Sequence, residues 1–249
     1  MSYLQAIILG FVQGLTEFLP ISSSGHLVIF QKLFALSEPP VLFDILVHLG
    51  TLGAIILYFR KEWLKISKKT IYLIIIGTIP AAIVGLFLQN YITQIFNSLR
   101  LVGLALLFTG VLLFFTYRFK SLNRQFDKLN WRDALLIGVF QALAIIPGIS
   151  RSGATIVSAL GRKLERETAF RFSFYLAVPA ILGAFVLQIP DLVYSPCSYL
   201  KQGILGMIIA GITGYLTLKI LERVLMSARF WFFGFYCLAI GLIVFLVSF

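Results

Sequence analysis

A helix that crosses a bilayer needs about 20 mostly apolar residues, somewhat fewer where the bilayer is thin. Six stretches of the chain meet that requirement, at 41–59, 71–88, 101–117, 169–188, 203–218 and 230–248. Two further apolar segments, 1–36 and 133–161, are each broken in the middle by a run rich in Pro, Gly and Ser, which leaves halves too short to span. Irregular backbone survives at membrane depth only where protein buries it or where it lines a wet cavity. Both broken segments therefore read as re-entrant helix-loop-helix hairpins whose loops face a site. The expected fold is an all-α integral membrane protein with six transmembrane helices and two re-entrant hairpins.

The polar stretches between the apolar ones set the sidedness. Of the 21 Lys and Arg residues, 17 fall in four clusters: 60–69, 118–132, 162–171 and 219–229. Basic connections stay on the cytoplasmic side. The alternate connections, 89–100 and 189–202, carry one basic residue each, Arg100 and Lys201. This places both termini outside, brings the first hairpin in from the outer face and the second from the cytoplasm. Opposed insertion predicts an inverted repeat, and the sequence carries one: Gly10, Gln13, Leu15, Ser22, Ser24 and Gly25 recur 128 residues later as Gly138, Gln141, Leu143, Ser150, Ser152 and Gly153. The first repeat runs over 1–117, a basic cytoplasmic linker over 118–132, and the second repeat over 133–249.

Composition narrows the class. With 59% hydrophobic residues, 12% charged residues and a mean hydropathy of +0.96, the solvent of this chain is lipid. A net charge of +11 does not point to nucleic acid, because no continuous basic surface remains once the apolar runs are in the bilayer. Met1–Leu9 has no basic n-region and no cleavage site follows, so the first segment is expected to stay in the mature protein. Cys197, in a loop, and Cys237, in a late apolar run, offer neither metal spacing nor a disulfide framework.

Charged groups at membrane depth cost a few kcal/mol each, which makes them functional candidates. The first hairpin supplies Gln13, Glu17 and His26; the first span supplies Asp44 and His48; the second hairpin supplies Arg151. Gln13 and Glu17 lie four apart on one helix face, and Ser22-Ser23-Ser24-Gly25-His26 opens the next half-helix beyond Pro20. Pro147-Gly148-Ile149-Ser150-Arg151-Ser152-Gly153 makes the matching turn, with Thr155 one turn further on. Half-helix starts present N–H groups and a positive dipole end, and two of them meeting at the midplane would cradle a diphosphate, with Arg151 clamping its oxygens. Other roles stay open: the serines as helix caps, Glu17 as the ion-pair partner of Arg151, His26 as a packing residue, and Asp44 and His48 as outer positions or lining of the cavity mouth.

At these loops the chain resembles the undecaprenyl-diphosphate phosphatase family of the bacitracin-resistance type, through Gln13 to His26 and Pro147 to Thr155. The similarity extends through Phe43-Asp44 and Phe174 to Pro179. The resemblance implies hydrolysis of a C55 polyprenyl diphosphate to the monophosphate and phosphate, returning the lipid carrier to cell-wall synthesis and giving bacitracin resistance. It implies an inner-membrane location with the site open to the outer face, and essential roles for Glu17, His26 and Arg151. It also implies Ser23 as a nucleophile candidate beside Ser22 or an activated water, and phosphate contacts from Gln13, Ser22, Ser24, Gly25, Ser150, Ser152, Gly153 and Thr155. Many members carry a second Glu where this chain has Gln13, which leaves one carboxylate for the Mg2+ or Ca2+ that the family is described as needing. Glu17 is then the metal ligand together with substrate phosphates. The expected partners are the lipid and the membrane, with no nucleic acid; a homodimer is left open.

A second family of membrane lipid phosphatases shares Ser-Gly-His and Ser-Arg elements, but Val157 and Gly161 stand where it needs His and Asp. The competing class is a polyprenyl-phosphate flippase or transporter, because paired hairpins in an inverted repeat are transporter architecture.

Overall fold

The computed structural model describes residues 1–36, 41–87, 98–120, 122–194 and 200–248, with no side-chain description at 41 and 190–194. Glu38 and Cys197 lie outside them, as does most of the 89–100 connection. Helices dominate: α1 (Tyr3–Thr16), α2 (Ser23–Leu33), α3 (Val41–Tyr58), α4 (Arg60–Trp63), α5 (Lys68–Phe87), α6 (Leu99–Phe114), α7 (Trp131–Leu143), α8 (Arg151–Gly161), α9 (Arg166–Tyr194), α10 (Leu200–Met226) and α11 (Phe233–Val247). Five of them are long and apolar enough to cross a membrane: Lys68–Phe87, Leu99–Arg118 with its terminal 3-10 turn, Arg166–Ile189, Leu200–Met226 and Phe230–Val247. The remaining expected span, 41–59, forms the 18-residue α3, which at about 1.5 Å per residue reaches roughly 27 Å. Outward faces are apolar along these helices, as at Ile75 and Ile79 on α5 or Ile208 and Ile212 on α10, because lipid rather than water is their surroundings.

Boundaries differ from expectation mainly where helices run on into polar sequence. The segment expected at 169–188 becomes the 29-residue α9, and that expected at 203–218 becomes the 27-residue α10, whose last turns carry Lys219, Glu222 and Arg223. Tyr58 donates to Glu222 at 2.5 Å, so the extension is anchored by a polar contact that hydropathy does not register.

Each broken segment forms two half-helices. α1 packs on α10, and α7 packs on α5; α3 also meets α10, α9 meets α5, and α6 meets α11. Gly10 and Gly138, related by the 128-residue offset, are the points of closest approach. A Cβ at Gly10 would fall 2.6 Å from the carbonyl oxygen of Gly206, and one at Gly138 would fall 2.3 Å from that of Gly77. Backbones can touch there only because neither partner has a side chain.

The linker is more than a solvated basic stretch. Its Arg124 backbone pairs with the turn after α8, through Arg124 N to Lys163 O at 3.1 Å and Glu165 N to Arg124 O at 2.9 Å. The Arg124 guanidinium reaches Asp133 at 2.5 Å, and Arg162 holds the other carboxylate oxygen at 2.7 Å. Asp133 is fully buried. Burial alone would raise its carboxyl, but hydrogen bonds from Arg124, Arg162 and the Asn130 N–H overcome this and hold it below its ordinary value of 3.8. A carboxyl lowered in the fold stabilises fully above the ordinary carboxylate range and loses that contribution as pH falls through the lowered value. Asp133→Asn is therefore expected to cost about 3 kcal/mol at neutral pH, since it strands two arginines. Thermal unfolding in detergent should show the gap between variant and wild type closing as pH drops below 4, and a gap unchanged by pH would refute the assignment.

Candidate active site

The loop between α1 and α2 turns at Pro20, and Ser22 adopts φ 68°, a left-handed conformation unusual for a residue with a Cβ. Two bonds hold it there: the Ser22 hydroxyl oxygen accepts from Gly25 N at 3.3 Å, capping α2, and from Gly148 N of the other loop at 3.1 Å. Gly148 itself sits at φ 99°, where a Cβ would fall 2.6 Å from the Val102 carbonyl oxygen of α6. Thr109 of α6 donates to the Gly148 carbonyl at 2.9 Å and accepts from Ser150 N at 3.2 Å. The two loops are thus fixed to each other and to α6.

Their meeting point is Glu17. One carboxylate oxygen accepts from Arg151 Nη2 at 2.6 Å. The other accepts from the Ser23 hydroxyl at 2.5 Å and from Gln13 Nε2 at 3.1 Å. His48 Nε2 on α3 stands 3.9 Å from that second oxygen. The His48 Nδ1–H donates to the Asp44 carbonyl at 2.7 Å, which directs Nε2 toward Glu17. The Asp44 carboxylate is held apart by Gln31 Nε2 at 2.8 Å. Arg151 also lies over the Phe174 ring, 5.7 Å from its centroid.

His26 is oriented away from this group. Its Nδ1–H donates to Ser22 O at 2.8 Å, and its Nε2 pairs with the Tyr236 hydroxyl of α11 at 2.8 Å, with the two rings stacked. Most of the recurring hydroxyls serve the backbone. Ser150 caps α8 through Gly153 N at 3.1 Å, Ser152 donates to Leu19 O at 3.2 Å, and Thr155 donates to Arg151 O at 2.8 Å and meets Ser173. Ser22, Ser150, Ser152 and Thr155 are all buried, whereas Ser23, Ser24 and Arg151 keep partial exposure. The expected residues thus separate into a group open to the cavity, Ser23, Ser24 and Arg151 gathered on the buried Glu17 with Gln13 behind, and a supporting group.

The first group has unused hydrogen-bonding capacity. Buried Arg151 Nη1 and Gln13 Oε1 have no partner. Among the described residues the N–H groups of Ser23 and Ser24 at the start of α2, and of Arg151 and Ser152 at the start of α8, meet no protein acceptor. A guanidinium nitrogen and two helix starts converging on one place suit a multiply charged anion.

The same residues do not make a resident cation site. Glu17 is the one carboxylate, both of its oxygens are engaged, and no group of three His, Cys, Asp or Glu side chains gathers among the described residues. Further oxygens for a hard cation would come from the diphosphate itself.

Two contributors were not singled out from sequence. Tyr236 lies in the most apolar span, where a hydroxyl at membrane depth was itself a signal. Thr109 looks like any polar residue in a packed helix. His48, named with Asp44 as a candidate for the cavity mouth, is the one of the two that α3 turns toward Glu17.

The chain matches the family described as bacitracin resistance protein BacA over residues 6–243. It is 44% identical to an undecaprenyl-diphosphatase of Carboxydothermus hydrogenoformans over 97% of this chain and 95% of that protein. Against an undecaprenyl-diphosphatase of Desulforapulum autotrophicum the identity is 41%, over 100% and 99% of the two chains. Against undecaprenyl-diphosphatase 3 of Bacillus cereus it is 40%, over 100% and 98%. With its whole length matched in this way, the chain belongs to the bacitracin resistance protein BacA family.

Proposed function

We propose that this chain is an intramembrane phosphatase that hydrolyses undecaprenyl diphosphate to the monophosphate and inorganic phosphate, recycling the lipid carrier for cell-wall synthesis and conferring bacitracin resistance. The names of the relatives supply the substrate. The observation that carries the reading is the Ser23 hydroxyl donating at 2.5 Å to a carboxylate that Arg151 holds from the opposite loop. A hydroxyl bonded to a fixed base is the arrangement of an activated nucleophile.

Glu17 takes the Ser23 proton as Oγ attacks the terminal phosphorus. The bond from that phosphorus to the bridging oxygen breaks, and lipid monophosphate leaves as an anion. Arg151 keeps one nitrogen on Glu17 and turns the free one to the phosphoryl oxygens, which the N–H groups of the two helix starts also face. Water then attacks the phosphoserine, and the proton held on Glu17 returns to Ser23 Oγ as phosphate departs. Ser22 is a poorer nucleophile candidate, because its oxygen already accepts two backbone N–H bonds. His26, bonded on both nitrogens, acts by fixing the α2 start against α11. Where a divalent cation is needed, the diphosphate oxygens would supply most of its ligands beside Glu17, and it would add positive charge there.

We read α1–α2 and α7–α8 as re-entrant hairpins in an inverted repeat with six spans, over 1–117 and 133–249. The exchange of partners supports this: α1 with α10 mirrors α7 with α5, and α3 with α10 mirrors α9 with α5. The opening to the outer face is supported by what lies behind Arg151. Phe174, Phe59, Tyr175 and Trp63 follow one another at centroid distances of 6.2, 5.5 and 4.7 Å toward the basic connections, closing that route.

Purified protein in detergent should release phosphate from the polyprenyl diphosphate without any sealed compartment, which transport would require. Ser23→Ala should fall more than about 1,000-fold. Turnover within about tenfold of wild type would assign the attack to water, with Ser23 supplying one hydrogen bond. Arg151→Lys keeps the charge but loses the fork, and a loss of about 100-fold is expected with normal membrane insertion. Cysteine labels at 60–69 and 118–132 should react only from the cytoplasm and tags at both termini only from outside; a cytoplasmic C-terminus would overturn the repeat. Calorimetry of the substrate-free protein should detect no tight Mg2+ site, and a saturable micromolar one would refute the substrate-borne cation.

A further inference from the structure

At the basic end of the molecule, the far side of the aromatic column from Glu17, α4, the turn before α5, the linker and α9 line an open cavity of about 400 Å³. Lys61, Lys65 and Arg171 line it from three elements, against one carboxylate, Glu62. Arg171 also pairs with Glu167 at 2.6 Å, through one guanidinium nitrogen. The α5 start forms part of the wall. There the Ser67 and Thr70 hydroxyls meet at 2.9 Å, and Thr70 N donates to Ser67 Oγ at 3.1 Å.

An independent observation comes from Tyr175, which lines the cavity and is only 6% exposed. Its ring is wedged between Trp63 and Phe126, at 4.7 and 6.1 Å between centroids. Yet its hydroxyl has no hydrogen-bond partner among the described residues. A buried tyrosine usually finds a partner for its hydroxyl. A hydroxyl that opens on the cavity without a protein partner, beside three cations, is suited to an oxyanion arriving from outside.

The mouth indicates what bears that oxyanion. Leu64, which precedes the lining Lys65, is 88% exposed, and Ile71, Tyr72 and Ile75 of α5, the helix whose start walls the cavity, are 45, 56 and 58% exposed. An anionic group seated among Lys61, Lys65, Arg171 and Tyr175 can leave hydrocarbon chains lying along this apolar face. The cavity is at the lower end of the range for small-ligand sites and accommodates a phosphate with its glycerol.

The geometry points to a binding site for the phosphate group of an anionic phospholipid at the basic end of the protein, separate from the Glu17 site. Basic pockets between helices on the cytoplasmic side recognise lipid headgroups in this way, and the leaflet assigned here rests on the orientation proposed above. The site itself does not depend on that orientation, nor on the phosphatase reading.

Native mass spectrometry of the full chain in detergent, titrated with phosphatidylglycerol or phosphatidylcholine of matched acyl chains, tests it. Phosphatidylglycerol should be retained in preference to phosphatidylcholine. Lys65→Gln combined with Arg171→Gln should weaken that retention by more than about tenfold. Glu62→Gln should strengthen it, an opposite sign that misfolding cannot mimic. Millimolar inorganic phosphate competing with the lipid would support the phosphate chemistry, and phosphate binding without lipid preference would identify free phosphate as its source. Equal retention of the two lipids with no effect of phosphate, or wild-type retention in the double variant, would overturn the proposal. Polyprenyl diphosphate hydrolysis in lipid-free detergent should be unchanged in both variants, which reports their folding and separates this outcome from any failure of the phosphatase reading.

Discussion

Two opposite charges placed together in a low-dielectric interior are costly to create and costly to separate, and the Glu17–Arg151 pair at 2.6 Å is such a placement. Each partner comes from a different loop, 134 residues apart in sequence. Neither loop can relax without stranding a charge, so the surrounding structure is organised to hold both in register. The Ser22 bond to Gly148 joins the loops directly, and Thr109 fixes the second one to α6. Because the carboxylate is already oriented by Arg151 and Gln13, Ser23 meets an acceptor that needs no rearrangement.

That register depends in turn on how closely helices approach. The glycine contacts at Gly10 with Gly206 and Gly138 with Gly77 bring each first half-helix against a long helix of the other half. In a bilayer, apolar burial does not drive helices together, and close backbone contact takes over that role. A methyl group at either contact would push a half-helix outward and shift the loop at its end, moving Glu17 or Arg151 relative to the other. The same local device, used twice, delivers two loops to one point from different directions.

The sequence and the structure agree best where physics acts locally. Apolar length located every long helix, and Pro and Gly marked both loops, because lipid solvation and backbone geometry are properties of short segments. Glu17, Ser23 and Arg151 were legible because charged or hydroxyl groups at membrane depth are rare enough to stand out. The identical spacing of Ser22, Ser24, Ser150 and Ser152 did not reveal which hydroxyls face ligand and which cap a helix, since that depends on the side of each half-helix that packs. Tyr236 was not legible for a related reason: its contact with His26, across 210 residues, has no signature in local composition. The helical extensions at Arg166 and Glu222 were hidden because polar sequence can continue a helix beyond the membrane when a tertiary partner such as Tyr58 receives it.

The bond between His26 and Tyr236 also orders events in time. The partner of the imidazole lies 210 residues further along the chain, in α11, which packs along α6, so the first hairpin emerges well before it. Until then His26 Nε2 faces lipid or water, and the start of α2 lacks one of its anchors. The loop that carries Ser23 therefore gains this anchor only once α11 has packed against α6, and a chain lacking that helix presents an incompletely braced candidate site to the lipids around it.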